Sequence, residues 1–295
     1  MSKIISGLMG LVVADALGVP YEFKERGSFK ATGMTGYCTH DMPPGTWSDD
    51  SSMTIATVKS IIDNKGKIDL YSIMNNFFDW YYYADFTPHG VVFDVGNTTR
   101  KAIHKYRSSG RTVEGCGCDA FEDNGNGSLM RMLPLACILN INVPSIHAVS
   151  ALTHAHDISK KACEIYVDFA LGLMLGFDKN LTLDTVTAFG VPEEFQRLIN
   201  IKDLTEDDIK STGFVVDTLE AAIWSFMTTD NYKDCVLKAV NLGGDTDTIA
   251  AVAGGLAGIY YGIGGDKGIP YKWIDKTVKH AELLELFERF EKVCK

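Results

Sequence analysis

The stretch from Ile249 to Gly258 constrains the fold more than any other part of this sequence. It reads Ile-Ala-Ala-Val-Ala-Gly-Gly-Leu-Ala-Gly and contains only apolar and small residues. Such a segment is too apolar for a surface loop, and it is typical of a helix that is buried on all sides. The sequence therefore predicts a buried helix that begins near Thr248.

Helical periodicity dominates the rest of the chain, whereas the alternation typical of β-strands is scarce. The fold class is therefore predicted to be all-α. The predicted helices are Lys3–Leu17, Ser52–Asn64, Leu70–Tyr83, Asn97–Ser108, Ser128–Leu139, Ser145–Leu152, Ile158–Leu175, Glu193–Ile199, Val215–Thr228, Tyr232–Asn241, Thr248–Tyr261 and Glu282–Lys292. The sequence has no Pro- or Ser-rich linker and no low-complexity tract, so residues 1–295 are expected to form a single domain.

Charge and cysteine content limit the partners and the compartment. The net charge of −10 argues against a nucleic-acid backbone or an anionic membrane as the main partner. Seven cysteines without regular spacing favour a reduced, cytoplasmic protein, with zinc bound by Cys116, Cys118 and a distant histidine as an alternative. The apolar segment Ile4–Pro20 is interrupted by Asp15 and by glycines, which favours a core helix over a signal peptide or a membrane span. We expect a monomer.

Two distant segments place hydroxyls and carboxylates together at the start of an apolar helix. They are Ser48-Asp49-Asp50-Ser51 and Asp245-Thr246-Asp247-Thr248. One such residue is enough to cap a helix, whereas additional carboxylates at a buried helix start cost free energy unless a positive charge neutralises them. Oxygen donors without adjacent Cys or His suit Mg²⁺ or Mn²⁺. Four carboxylates balance two divalent cations, and a pair of ordinary N-caps is the alternative.

Two loops could contact a ligand. Asn124–Arg131 is rich in glycine and precedes a predicted helix, and the free amides of a helix start attract phosphate oxygens. A plain turn with Ser128 as a cap explains the same residues. His154 and His156 lie between two predicted helices, where capping by histidine is commoner than metal binding, and Asp157 is the expected N-cap of the second helix.

Two further carboxylates are candidates. Glu22 follows the first predicted helix, where a carboxylate beside metal-bound water makes a natural general base; a surface role is the alternative. Asp94 lies among apolar residues before a predicted helix, where an Asx-type turn that leads to a cap at Asn97 would also account for it.

Taken in chain order, these segments resemble the ADP-ribosylglycohydrolase family, which includes ADP-ribosylarginine hydrolases and dinitrogenase-reductase-activating glycohydrolases. The matching stretches are Gly10–Gly18 with Glu22, Trp47–Ser51, Gly125–Arg131, Thr153-His154 and Gly243–Thr248. They cover most of the chain. The resemblance implies an orthogonal all-α bundle with a dinuclear Mg²⁺ or Mn²⁺ centre in a cleft.

The resemblance also implies roles for individual residues. The expected metal ligands are Ser48, Asp49, Asp50, Asp245, Asp247 and Thr248. The expected catalytic carboxylates are Glu22, Asp49 and Asp50, among which the sequence does not choose. The expected substrate-binding residues are Asp94, Gly115, Gly117, Asn126, Gly127, Ser128 and His154. Both threonines of the family's Thr-Asp-Asp-Thr motif are serine here, and a serine hydroxyl can donate the same oxygen.

The segment around Asp94 resembles the arginine-specific branch of the family, in which an acid faces the guanidinium. A carboxylate suits the planar fork of donors on arginine. The expected reaction is therefore metal-assisted hydrolysis of the N-glycosidic bond in an ADP-ribosylated protein partner. The alternatives are serine-, nucleic-acid- or O-acetyl-linked ADP-ribose as substrate, a dinuclear-metal nucleotide phosphohydrolase, and a catalytically idle crystallin-like relative. Tyr21, Trp47 or Tyr106 is expected to stack on adenine.

Overall fold

The computed structural model describes residues 2–188 and 190–295, and these residues form helices and isolated bridges but no β-sheet. The α-helices are α1 (Lys3–Gly18), α2 (Asp49–Asp63), α3 (Leu70–Tyr83), α4 (Asn97–Ser108), α5 (Val143–Ala151), α6 (Asp157–Leu175), α7 (Lys179–Thr187), α8 (Val215–Met227), α9 (Tyr232–Asn241), α10 (Thr246–Tyr261), α11 (Tyr271–Ile274) and α12 (His280–Cys294). Short 3₁₀ helices lie at Val19–Tyr21, Cys38–His40, Phe121–Asp123, Leu129–Arg131, Leu133–Cys137, Glu193–Asp203 and Glu206–Asp208. The prediction of an all-α fold is confirmed.

The apolar helix α10 lies at the centre of the molecule and packs antiparallel against α1. The two helices meet along Gly7, Gly10, Gly254 and Gly258, a contact line that we call the glycine seam. A Cβ atom on Gly254 would lie 2.6 Å from the carbonyl oxygen of Gly10, which leaves no room for a side chain. The seam therefore fixes how the two helices are positioned along each other.

The N-terminal apolar segment is part of this core. Lys3–Tyr21 has the length and the apolar composition of a membrane span, but 94% of that window is buried inside the protein. Packing against α10 accounts for its apolar character, as the prediction of a core helix requires.

Each acidic segment forms the cap and the first turn of its helix rather than preceding it. The sequence predicted helix starts at Ser52 and Thr248, whereas α2 begins at Asp49 and α10 at Thr246. Ser48 caps α2, because its side chain accepts a hydrogen bond from the backbone N–H of Asp50. Asp49 and Asp50 thus belong to the first turn of α2, and Asp247 belongs to the first turn of α10.

Several predictions about helices were wrong. The helix expected at Glu193–Ile199 is part of a 3₁₀ segment over Glu193–Asp203. The helix expected at Ser128–Leu139 is two 3₁₀ segments, because Pro134 has no N–H to donate to an α-helical hydrogen bond. Helix α7 was missed, since its threonines are poor helix formers and its start depends on the Asp178 cap, which accepts from the Leu181 N–H at 2.9 Å. Helix α6 is capped by His156 rather than by Asp157.

Candidate metal centre and substrate cleft

Asp15 on α1 holds the start of α2 in place. Its carboxylate accepts hydrogen bonds from the backbone N–H groups of Ser48 and Ser51, both at 3.0 Å, and from the hydroxyls of the same two serines. The side chain is completely buried. Both carboxylate oxygens are therefore used as acceptors, and Asp15 acts as an anchor for the first acidic segment. The sequence analysis did not assign this role, for which an acid within an apolar helix was the only indication.

The two acidic segments meet in space. One oxygen or more from each of Asp15, Asp50 and Asp247 lies within 4.8 Å of the others, and the same holds for Glu22, Asp245 and Asp247. Asp247 belongs to both groups. Carboxylates from α1, α2, α10 and the segment after α1 thus converge on one place, as two cations sharing a site would require.

Hydroxyl groups connect the two segments. Asp50 Oδ2 lies 2.8 Å from Ser48 Oγ and 3.5 Å from Thr248 Oγ1, so it stands between a hydroxyl of each segment. The Thr248 backbone N–H also donates to Asp247 Oδ1 at 3.0 Å. The hydroxyl oxygen of Ser48 therefore lies at the same site as the predicted carboxylates.

Three carboxylate oxygens in this cluster are buried without a hydrogen-bond partner among the described residues: Asp50 Oδ1, Asp245 Oδ1 and Asp247 Oδ2. Such oxygens are rare in proteins, because burying one unpaired costs free energy. Carboxylate oxygens are hard donors that divalent cations such as Mg²⁺ and Mn²⁺ prefer. The unpaired atoms and the donor type therefore fit a site for divalent cations.

Burial and mutual repulsion also disfavour the ionised form of these acids. Burial, reinforced by the charges of Asp94, Asp245 and Asp15, raises the pKa of Glu22 to about 9. Burial likewise raises the pKa of Asp49, Asp50 and Asp247 well above the usual range, with neighbouring carboxylates adding to the effect. Burial raises the pKa of Asp15 to about 6 despite its four serine donors. Positive charge is therefore needed to keep the cluster ionised at neutral pH.

We expect the cation-free protein to become more stable as the pH falls from about 9 to about 5. The folded-state pKa values of Glu22 and Asp15 are raised, so the folded chain binds more protons than the unfolded chain over this range. The stabilisation is complete below the unfolded values and is lost as pH rises through the folded ones. Urea midpoints measured against pH in EDTA test this. Glu22→Gln should flatten the curve, whereas a wild-type midpoint that falls on acidification would contradict the raised pKa values.

A cavity of about 320 Å³ opens beside the carboxylates. Its lining comprises Glu22, Phe23, Asp49, Asp94, Val95, Gly96, Asn97, Thr98, Thr99, Gly125, Asn126, Gly127, Met130, His154, Gly213, Asp245 and Thr248. The volume is in the range of small-molecule sites. The structure thus brings together Glu22, Asp94 and His154, which are distant in sequence and were predicted independently.

His40, which the sequence analysis missed, contacts the cavity residue Glu22. Its Nε2 makes a short hydrogen bond to Glu22 Oε2, and ligand atoms of Glu22, His40 and Asp94 lie within 4.8 Å of one another. The imidazole ring lies between Phe23 and Phe93, at centroid distances of 6.1 and 5.3 Å. His40 therefore holds the Glu22 carboxylate at the edge of the acidic cluster.

Asn126 connects the glycine-rich loop to the acidic cluster. Its side-chain amide donates to Asp245 Oδ2 at 2.8 Å and to Thr218 Oγ1 at 2.9 Å. A Cβ atom on Gly127 would lie 2.9 Å from both His154 Cε1 and Thr99 Oγ1, so only glycine leaves the cavity open at this position. Asn126 and Gly127 both line the cavity.

Three residues predicted to bind substrate lie elsewhere. The Ser128 hydroxyl is buried behind the loop, where it accepts from Ser150 Oγ at 3.0 Å. Gly117 packs against the backbone of Ala151, and Gly115 is an exposed turn residue with φ of 73°. The side chain of Ser128 and both glycines are outside the cavity lining, because the loop before Asn124 packs against the end of α5.

None of the three aromatic residues expected to stack on adenine lies in the cavity lining. Trp47 and Tyr106 are buried, with hydrogen bonds to Val278 and Asn75, and Tyr21 stacks on Phe29. Their rings are used in core packing. The exposed aromatic ring in the lining is that of Phe23, which is 69% exposed.

Comparison with known proteins adds to this geometry. The model of the family described as ADP-ribosylglycohydrolase matches residues 1–295. ADP-ribosylarginine hydrolase Tri1 of Pseudomonas putida is 33% identical, over 99% of this chain and 80% of its own length. ADP-ribosyl-[dinitrogen reductase] glycohydrolase of Rhodospirillum rubrum is 31% identical, over 95% of this chain and 92% of its own. A solved structure of an ADP-ribosylglycohydrolase-related protein complex superimposes with a TM-score of 0.85 at 25% identity, over 100% of this chain and 98% of that one.

Proposed function

The chain belongs to the ADP-ribosylglycohydrolase family and is a glycosidic-bond hydrolase that removes ADP-ribose, and we propose that its substrate is ADP-ribosylarginine in a modified protein. Asp94 carries this proposal. It is a carboxylate of the cavity wall that lies within 4.8 Å of ligand atoms of Glu22 and His40, and it belongs to neither group of carboxylates that includes Asp247. The curated relatives named ADP-ribosylarginine hydrolase support the same substrate.

We propose that two divalent cations, Mg²⁺ or Mn²⁺, bind between α2 and α10. Asp49, Asp50, Asp245 and Asp247 would hold them, with Ser48 and Thr248 as hydroxyl donors. When bound, such cations fix the ribose hydroxyls and lower the pKa of a coordinated water. Four carboxylates match the charge of two such cations, so the repulsion within the cluster would be cancelled.

The remaining steps belong to the side chains of the cavity. The sugar passes through a transition state with oxocarbenium character, and the carboxylates of Asp49 and Glu22 stabilise the positive charge that develops on the ring. Glu22 is the proposed proton-transfer group, because its carboxyl lies in the cavity wall and shares a hydrogen bond with His40 Nε2.

Asp94 would recognise the arginine side of the bond. A guanidinium donates two parallel hydrogen bonds to a carboxylate, whereas a serine linkage offers no such fork. Burial raises the pKa of Asp94, against a lowering effect of His40, so a cationic guanidinium would favour its ionised form. The acid thus gives the cavity a preference for a cationic acceptor residue.

We expect Asp94→Ala to lower kcat/KM for ADP-ribosylarginine by about 100-fold, the effect of losing a charge-assisted bidentate contact. Activity on ADP-ribosylserine, if present, should change far less. The measurement is release of ADP-ribose from arginine-, serine- and nucleic-acid-linked substrates offered in parallel, with Mg²⁺ and with EDTA. Asp85→Asn, an exposed acid that precedes Asp94 in the same inter-helix segment, is the matched control and should leave all rates unchanged.

The same assay separates the remaining functions. Serine-linked substrate cleaved faster than arginine-linked substrate would replace the arginine assignment. Release of AMP, by hydrolysis of the diphosphate, instead of ADP-ribose would indicate a nucleotide phosphohydrolase. Absence of turnover on every substrate, with cations demonstrably bound, would leave the catalytically idle relative as the remaining interpretation.

A further inference from the structure

Arg131 is a buried cation to which the proposed reaction assigns no role. Its side chain is completely buried, and the described residues place no carboxylate within salt-bridge distance of it. The guanidinium donates to the Val149 carbonyl at 3.2 Å and to Thr153 Oγ1 at 2.8 Å, and it lies over the Phe77 ring. An uncompensated buried charge is expensive, and its retention next to a ligand cavity needs a reason.

The hydrogen bond from Arg131 to Thr153 determines the direction of the hydrogen bond between Thr153 and His154. Arginine can only donate, so the Thr153 oxygen is an acceptor in this contact. The same hydroxyl lies 2.8 Å from His154 Nδ1, which leaves its proton to be donated to that nitrogen. The opposite arrangement would leave a buried hydroxyl proton without an acceptor. His154 is therefore held in the tautomer that carries its proton on Nε2.

His154 Nε2 faces the cavity. A Cβ atom on Gly125 would lie 3.5 Å from it, and the neighbouring Cε1 borders Gly127. The ring stays neutral, because burial and the Arg131 charge lower the pKa of His154 to about 3. A neutral imidazole with a bonded Nδ1 offers one donor, and that donor borders the cavity.

A second polar group borders the same point. Thr99 Oγ1 is buried without a hydrogen-bond partner in the part of the chain that the structure describes, and Thr99 itself is 1% exposed. It lies beside Gly127, opposite His154, at the start of α4. A hydroxyl without a hydrogen-bond partner that lines a cavity gains one when a ligand atom occupies the cavity.

We propose that Arg131 is a positioning residue that acts through Thr153 to hold His154 as an Nε2–H donor, and that this donor and the Thr99 hydroxyl together bind one acceptor oxygen of ADP-ribose over Gly127. The inference rests on the ADP-ribose chemistry of the family and is independent of the acceptor residue. It adds Arg131, Thr153 and Thr99 to the residues that recognise the substrate.

Thr153→Val tests the relay, because valine keeps the shape of threonine and removes the hydroxyl. We expect the affinity for ADP-ribose, measured by calorimetry in Mg²⁺, to fall about tenfold, and ¹⁵N NMR of the cation-free protein to show His154 no longer fixed with its proton on Nε2. Thr153→Ser should restore both. Thr57→Val is the matched control, since Thr57 is equally buried and its hydroxyl bonds only to the Met53 carbonyl of its own helix, at 2.8 Å.

Three further variants complete the test. Arg131→Lys, which keeps a donor, should retain the His154 tautomer better than Arg131→Met, and Thr99→Val should weaken ADP-ribose binding without changing that tautomer. An unchanged tautomer and affinity in Thr153→Val would overturn the inference. Failure of the arginine-substrate assay alone would not, because both readouts use free ADP-ribose or no ligand.

Discussion

Asp245→Asn should lower kcat/KM for ADP-ribosylarginine by at least ~10³-fold, because lost charge at a divalent-cation site removes several kcal/mol of transition-state stabilisation. Asp245 Oδ1 is buried without a partner among the described residues, and Oδ2 is held by the Asn126 amide at 2.8 Å. Oδ1 is therefore the atom available to a cation. The fold should survive, since the variant removes one charge from a group of mutually repelling acids.

Three measurements check this expectation: release of ADP-ribose, binding of Mn²⁺ by calorimetry, and urea unfolding in EDTA. The variant should lose activity and cation affinity together, and it should be at least as stable as the wild type without cations. Asp266→Asn, an exposed acid beside Lys267, controls for a change of net charge. Full activity of Asp245→Asn would show that this residue does not bind the cations.

Asp15→Ala should destabilise the protein by about 4 kcal/mol or more, since each buried donor left without an acceptor costs ~1–3 kcal/mol. Two backbone N–H groups and two hydroxyls, from Ser48 and Ser51, donate to this carboxylate. Burial disfavours its charge and raises its pKa to about 6, which offsets part of the loss at neutral pH. The donors outweigh this penalty because alanine offers them no acceptor, whereas Asp15→Asn keeps one and should cost less.

The affinity for Mn²⁺ provides an independent readout for Asp15. Loss of the anchor should also lower the affinity for Mn²⁺, because Ser48 and Asp50 would no longer be held in register with α10. Asp63→Ala, at the exposed C-terminal end of α2, removes only an ion pair with Lys59 and should change the stability by less than about 0.5 kcal/mol. Equal stability of Asp15→Ala and wild type would exclude the anchoring role.

The acidic segments could be recognised from the sequence because their peculiarity is local. A helix start needs one capping oxygen, and Asp49 with Asp50, or Asp245 with Asp247, exceeds that need within a few residues. The apolar run after Asp247 showed in the same way that the site would be buried. Charge excess and burial, both readable along the chain, were enough to predict the cluster that the structure brings together.

Other residues depend on partners that are distant in sequence. Asp15 is distinguished only by donors from Ser48 and Ser51, and His40 reaches Glu22 from a segment with left-handed backbone at Tyr37 and Asp41. No local pattern indicates such pairings. The position of Gly115 and Gly117 outside the cavity lining has the same origin, since glycine-rich sequence does not reveal which of two adjoining loops borders the cavity.

The glycine seam has a consequence for the cations that would bind far along the same helices. Gly18 lies so close to α10 that a Cβ atom on it would stand 2.6 Å from the Asp247 N atom. The acids at the ends of α1 and α10 therefore cannot relax their repulsion by sliding apart, and folding does electrostatic work against them. A bound cation would reduce this repulsion. The close packing at the glycines would therefore contribute to cation affinity, even though the glycines themselves do not contact the cations.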